Sequence, residues 1–127
     1  MVRKERPTDS LLSQTTRIET GYGDLYITIS EVDKEPFEIF IIIGKGGGAL
    51  MAKAEAIGRL CSLAMRHGIP TEEIIEQLSG IADDKPKYTQ SRLIKSIPDA
   101  VAWTLSKYIH RSPQDKKESI LVSKKKT

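Results

Sequence analysis

The stretch from Phe37 to Gly68 constrains this chain more than any other. Phe37-Glu38-Ile39-Phe40-Ile41-Ile42-Ile43 is β-branched and aromatic and carries a single charge. Such a run suits a strand buried on at least one face. Gly44-Lys45-Gly46-Gly47-Gly48 breaks it. A helix is expected from near Ala49 to about His67, where Gly68 stops it with help from Pro70. Strand, glycine elbow and long helix form one unit on which the rest must pack.

Upstream, Leu25-Tyr26-Ile27-Thr28-Ile29-Ser30 alternates, with Leu25, Ile27 and Ile29 on one face and Tyr26, Thr28 and Ser30 on the other. Gly21-Tyr22-Gly23-Asp24 is a turn signal, and Thr15 to Thr20 suits a short strand before it. Asp33-Lys34-Glu35-Pro36 is a loop. Parallel pairing needs long crossovers, so three strands with such short connections form an antiparallel meander. The expected fold class is α+β: a three-stranded antiparallel β-meander with about three helices packed on it.

On the long helix, Leu50, Ala54, Ile57, Leu60, Cys61 and Ala64 are expected on one face, and Glu55, Arg59, Ser62 and Arg66 on a narrow stripe opposite. So thin a polar stripe implies cover on most sides, by the sheet and by a second subunit. A second helix begins at once, with Thr71 as its expected N-cap, Glu72 and Glu73 at the positive end of its dipole and Gly80 as its end. Ile74, Ile75 and Leu78 are its apolar edge. Asp83 to Lys95 reads as a loop. A third helix starts near Ser96, where Ser96 and Asp99 have the spacing of a capping box and Pro98 fits the first turn. Ile97, Val101, Leu105 and Tyr108 line its core face.

A chain of 127 residues holds one modest core. The expected division is a flexible N-terminal arm (1–14), the domain (15–111) and a basic, disordered tail (112–127). Five of the lysines lie in that tail against Asp115 and Glu118. They account for the whole net charge of +3, so the basic balance describes a tail and not a surface. The first residues lack the apolar core of a secretory signal, and no apolar run is long enough for a membrane helix. Cys61 is the single cysteine, which excludes an intrachain disulfide and a cysteine-based metal cluster. No membrane partner is expected, and the expected compartment is the cytoplasm.

Several strings together resemble the TSCPD domain, an accessory C-terminal module of vitamin B12-dependent (class II) ribonucleotide reductases. Glu19-Thr20-Gly21-Tyr22-Gly23-Asp24-Leu25-Tyr26-Ile27-Thr28-Ile29 is similar to that family's opening string. Pro36 to Phe40, Gly44 to Gly47, Glu55-Ala56-Ile57-Gly58-Arg59-Leu60, Gln77 to Ile81 and Ser96-Ile97-Pro98-Asp99-Ala100 follow in the family's order. The resemblance spans about Arg6 to Tyr108. The departures concern chemistry. The naming pentad Thr-Ser-Cys-Pro-Asp reads Lys95-Ser96-Ile97-Pro98-Asp99 here. Where the family carries cysteines stand Tyr22, the Ala82-Asp83-Asp84 stretch and Ile97. A metal held by those cysteines has no counterpart in this chain, because Tyr and Ile do not replace thiolates. The resemblance implies an accessory module without the catalytic barrel or redox cysteines, so the chain is not expected to reduce ribonucleotides by itself. No cofactor is expected.

Three groups of residues are candidates for contact. The elbow offers backbone amides, a helix dipole and a lysine, which suits an anion such as the phosphate of a nucleotide; Lys45, Gly46, Gly47, Gly48 and Lys53 are its candidate residues. The same string also serves as a tight turn that folds the helix back on its strand. A dinucleotide fold is excluded, because a second helix follows where a parallel strand is required. Lys85, Lys87, Tyr88, Arg92 and Lys95 mix cations with an aromatic ring, as weak single-stranded nucleic-acid sites do and as solvated loops also do. Trp103 and His110 lie off the core face of the third helix, where Trp103 serves as an interface anchor or is covered by the N-terminal arm. His67 suits a C-terminal cap, Cys61 a packing position and Asp83-Asp84 a turn; no catalytic set and no metal site emerges. Three readings stay open: a non-catalytic module binding a nucleotide, phosphate or reductase partner at the elbow; a self-assembling interaction protein, associated through the long helix or the Trp103 face; and a free-standing nucleic-acid binder.

Overall fold

The alternation of apolar and polar residues produces three strands, β1 (Leu12–Thr20), β2 (Gly23–Val32) and β3 (Glu35–Ile43), in a computed structural model that describes residue 5 and residues 11–89 and 91–111. They pair antiparallel in the order β1-β2-β3. The meander and the α+β class are as the sequence implies. β1 begins at Leu12, ahead of the Thr15 expected. The tail at 112–127, and most of the arm at 1–14, lie outside the described residues.

The register explains the layering. Ile18 opposes Leu25, which opposes Ile43; Thr16, Ile27 and Ile41 form the next row, and Gln14, Ile29 and Ile39 the third. These rows face the helices. The other face carries hydroxyl pairs: Ser13 with Ser30 at 2.7 Å and Thr15 with Thr28 at 2.8 Å. That face also exposes Tyr26, Phe40 and Ile42.

Among the described residues three helices pack on the sheet: α1 (Gly47–Arg66), α2 (Thr71–Leu78) and α3 (Ile97–Ile109). α1 packs on β3, α3 packs on β1 and β2, and α2 packs on α3. Leu25, Ile27, Ile39, Val101 and Leu105 are fully buried at the centre. Each such side chain contributes about 1.5–3 kcal/mol of burial. The core faces expected for α2 and α3 are those observed.

α1 departs from expectation in its facing. Ser62 and Arg66, placed on the solvent stripe by the sequence, turn toward the sheet. The Ser62 hydroxyl accepts from the Ile39 amide at 2.9 Å and donates to the Ile39 carbonyl at 3.1 Å. Arg66 donates to the buried Glu38 at 2.7 Å. Leu60, expected in the core, is 67% exposed, while Met65 takes a core position. The cause is the strand edge, whose outward amide and carbonyl at Ile39 demand a polar partner that only the helix supplies. Gly58 permits this approach, since a Cβ there would stand 3.4 Å from the Ile39 carbonyl oxygen.

Two further corrections are local. Thr71 is the first residue of α2 and is buried, and Pro70 occupies the cap position without a side-chain bond. The segment expected as a loop from Asp83 to Lys95 holds a small hairpin, β4 (Lys87–Thr89) with β5 (Arg92–Ile94). Its inner residue Ile94 is buried in the core. The Ser96 hydroxyl accepts from the Asp99 amide at 3.1 Å, which is one half of the expected capping box. The Asp99 carboxylate is used elsewhere.

Candidate functional site

The elbow joins β3 to α1 at one end of the sheet. The Gly44 amide donates to the Asp24 carbonyl at 3.2 Å, which extends the β2–β3 pairing by one step. Gly46 then adopts φ 123° and Gly47 φ 81°, conformations that favour glycine. The Leu50 side chain lies beneath the turn, so that a Cβ on Gly46 would stand 2.5 Å from its Cδ2. Residues 44–49 are all exposed. α1 therefore starts without a side-chain cap and without an acidic residue in its first turn. Its first amides and the positive end of its dipole meet neither a capping oxygen nor a carboxylate of their own turn. Lys45 stands exposed in the elbow, and Lys53 is exposed further along α1. The five candidate residues thus occupy the elbow and the first turns of one helix.

The basic residues of the second candidate group gather on and around the hairpin, but the fold engages several of them. Arg92 donates to both Asp99 oxygens at 3.2 and 3.3 Å and lies 5.9 Å from the Trp103 ring centroid. Lys87 pairs with Glu19 at 3.9 Å. Lys85 sits 5.2 Å from the Tyr22 ring centroid. Tyr88 is 72% exposed opposite Leu93, and Lys95 is exposed.

Asp99 organises this side. Burial alone pushes its carboxyl upward. The amides of Lys95 and Gly80, with the Arg92 guanidinium, outweigh that and hold it below the ordinary carboxylate value. The amide bonds are 3.0 and 2.9 Å. Trp103 is half-buried, with Lys107 4.5 Å from its ring centroid as well as Arg92, so cations cover part of the indole. His110 is exposed at the end of α3 and bonds the Ser106 carbonyl through Nδ1 at 2.8 Å. His67 caps α1, with its Nδ1 3.0 Å from the Leu63 carbonyl oxygen.

The positions where the resemblance implies cysteines partly converge. Tyr22 donates to Asp83 at 3.0 Å, which raises the phenol pKa, and the Asp83 amide donates to the Lys95 carbonyl at 3.1 Å. Ile97 is buried nearby in sequence. A phenol–carboxylate bond thus ties the first turn to the segment before the hairpin. Among the described residues, no group of three or more His, Cys, Asp or Glu side chains is placed to hold a metal ion. Cys61 is buried, which pushes its thiol pKa up and leaves it little thiolate character.

The sequence implied apolar surface on the long helix beyond the sheet, but it did not show that Leu60 is exposed or that Phe40 and Ile42 of β3 are exposed with it. Met51, Leu60 and Leu63 of α1 and Phe40 and Ile42 of β3 line an open groove of about 960 Å³ beside the β3 edge. The thin polar stripe of α1 was the available signal.

Comparison with known proteins gives a consistent result. The family model described as the TSCPD domain matches residues 2–109. A vitamin B12-dependent ribonucleotide reductase from Rhodopirellula baltica is 28% identical over 104 residues, covering 79% of this chain and 10% of the reductase. The chain therefore spans about a tenth of the length of that relative. No solved structure matches. No helix among the described residues is long and apolar enough to cross a membrane.

Proposed function

Because this chain belongs to the TSCPD domain family, we propose that it is a non-catalytic binding module that takes an anionic group at the glycine elbow. The group is the phosphate of a nucleotide, or an acidic or phosphorylated site on a ribonucleotide reductase that the module serves in the cytoplasm. One observation carries this reading: α1 opens beneath a run of exposed glycines with no cap and no acid in its first turn. Lys45 adds a cation at the same place, and Lys53 follows six residues after Gly47 on the same helix.

The test is a thermal melt with ATP, dATP and inorganic phosphate. A ligand at about one hundred times its dissociation constant adds roughly 2.7 kcal/mol, a readily measured rise in Tm. Lys45→Ala is expected to reduce the rise. Gly48→Asp places a carboxylate in the first turn, where there is open space for a side chain. It is expected to abolish the rise while leaving the fold intact. No rise with any of the three ligands sinks the proposal.

A second reading, a self-assembling interaction protein, is favoured by the exposed apolar residues of α1. Nucleic-acid binding through Lys85, Lys87, Tyr88 and Lys95 has less support, because Arg92 is engaged by Asp99.

A further inference from the structure

We propose that the cavity between β1 and α3 binds a compact organic monocarboxylate. The pattern of the sheet marks the place. In the rows Thr16-Ile27-Ile41 and Gln14-Ile29-Ile39, which face the helices, β2 and β3 supply isoleucine, whereas β1 supplies a hydroxyl and an amide. A row that serves packing alone needs no polar member. Opposite them α3 presents Lys107 and Tyr108, and Arg111 follows just past its end. Together with Ile29 these residues bound a cavity of about 290 Å³, the small end of the range for ligand pockets. It shares no residue with the glycine elbow.

The charges say what the cavity takes. Arg111 and Glu31 have side chains only 9% and 7% exposed and pair at 3.1 Å. Tyr108 donates its hydroxyl to the same carboxylate, and the Arg111 guanidinium carbon lies 3.8 Å from the Tyr108 ring centroid. The guanidinium is thereby fixed in place before a ligand arrives. Its Nε is buried without a hydrogen-bond partner among the described residues, so the fold does not use up its donors. Lys107 is the second cation and has no carboxylate partner among the described residues. Its ammonium rests 4.5 Å from the Trp103 ring centroid, a contact that offers its N–H groups no oxygen. Gln14 and Thr16 likewise make no side-chain hydrogen bond among the described residues. Two cations against one carboxylate leave one positive charge, which a single carboxylate neutralises. A phosphate monoester, close to doubly charged at neutral pH, matches it less well.

The experiment is a titration of the isotope-labelled full chain, followed by NMR, with benzoate, phenyl phosphate and neutral benzyl alcohol. Benzoate is expected to move the Gln14 side-chain amide and the Arg111 Nε–H signals along one saturable curve. Benzyl alcohol is expected to leave them in place, and phenyl phosphate to bind more weakly than benzoate. Lys107 is exposed, so its replacement leaves the fold intact, which the other amide signals report in the same spectra. Lys107→Gln is expected to weaken benzoate about tenfold, and Lys107→Arg to retain it. Gly48→Asp, at the elbow, is expected to leave benzoate binding unchanged, so failure here and failure of the elbow reading are distinguishable. Benzoate that leaves both signals in place overturns the proposal. So does an equal response to benzyl alcohol, tighter binding of phenyl phosphate, indifference to Lys107→Gln, or loss of benzoate binding in Gly48→Asp.

Discussion

The two sides of the helical layer spend their polar groups differently. On the α3 side, buried charges close loops. Asp99 gathers the amides of Gly80 and Lys95 and the Arg92 guanidinium. Glu31 of β2 accepts from Tyr108 and, at 3.1 Å, from Arg111. The Ser96 hydroxyl donates to the Ile81 carbonyl at 2.5 Å. On the α1 side, the ties run to the strand edge and stop there, leaving apolar side chains outward. A region that holds irregular backbone in place needs internal partners for its polar groups. A straight helix on a strand needs few, so its far face is available for contact with another molecule. α3 thus ties irregular backbone into the fold, whereas α1 leaves apolar side chains on its outward side.

The sharpest way to break that contrast is Asp99→Ala. It strips a nearly fully buried carboxylate from two amides and an arginine, and is expected to cost about 3–5 kcal/mol in urea unfolding. Asp99→Asn adds a pH test. The folded carboxyl titrates below its ordinary value of 3.8, so its contribution is complete above that value and fades as pH falls through the lower folded value. The wild type is therefore expected to lose stability on acidification more steeply than Asp99→Asn. If the two acid profiles coincide, Asp99 is not the organiser of its side. Ser62→Ala is next in size. It leaves the Ile39 amide and carbonyl without their partner and is expected to cost about 1–3 kcal/mol. Smallest is the Leu60→Ser and Leu63→Ser pair, expected to shift the unfolding free energy of the dilute monomer by no more than about 0.5 kcal/mol. A large loss there means that the outward face of α1 is packed within the monomer, and the contrast fails.

The sequence was legible wherever one residue's neighbours decided its state. Leu25, Ile27 and Ile29 alternate, and they are buried as alternation requires. The elbow was visible because glycine, not a distant contact, dictates the turn. Ser62 was misread because its partner is the backbone of Ile39, a strand away, and nothing in its own helix announces that need. Leu60 was misread for the converse reason: it follows the apolar pattern of Ile57 and Ala64, yet the sheet lies under Gly58 and Cys61 instead. The β4–β5 hairpin was invisible because three-residue strands are too short to display a period, and Lys87 and Tyr88 look like loop residues. The contact set of Arg92 was hidden likewise, since Asp99 was read only as a cap.

Arg111 gives the fold one more property. Besides Glu31, its guanidinium bonds the Lys34 carbonyl at 3.1 Å, in the turn between β2 and β3. That turn and the elbow lie at opposite ends of β3, whose nine residues span roughly 30 Å at the usual rise. A fluorophore or fusion partner attached after Arg111 therefore departs from the pole remote from Lys45. Such a handle allows ligand titrations to be followed without steric interference at the glycines.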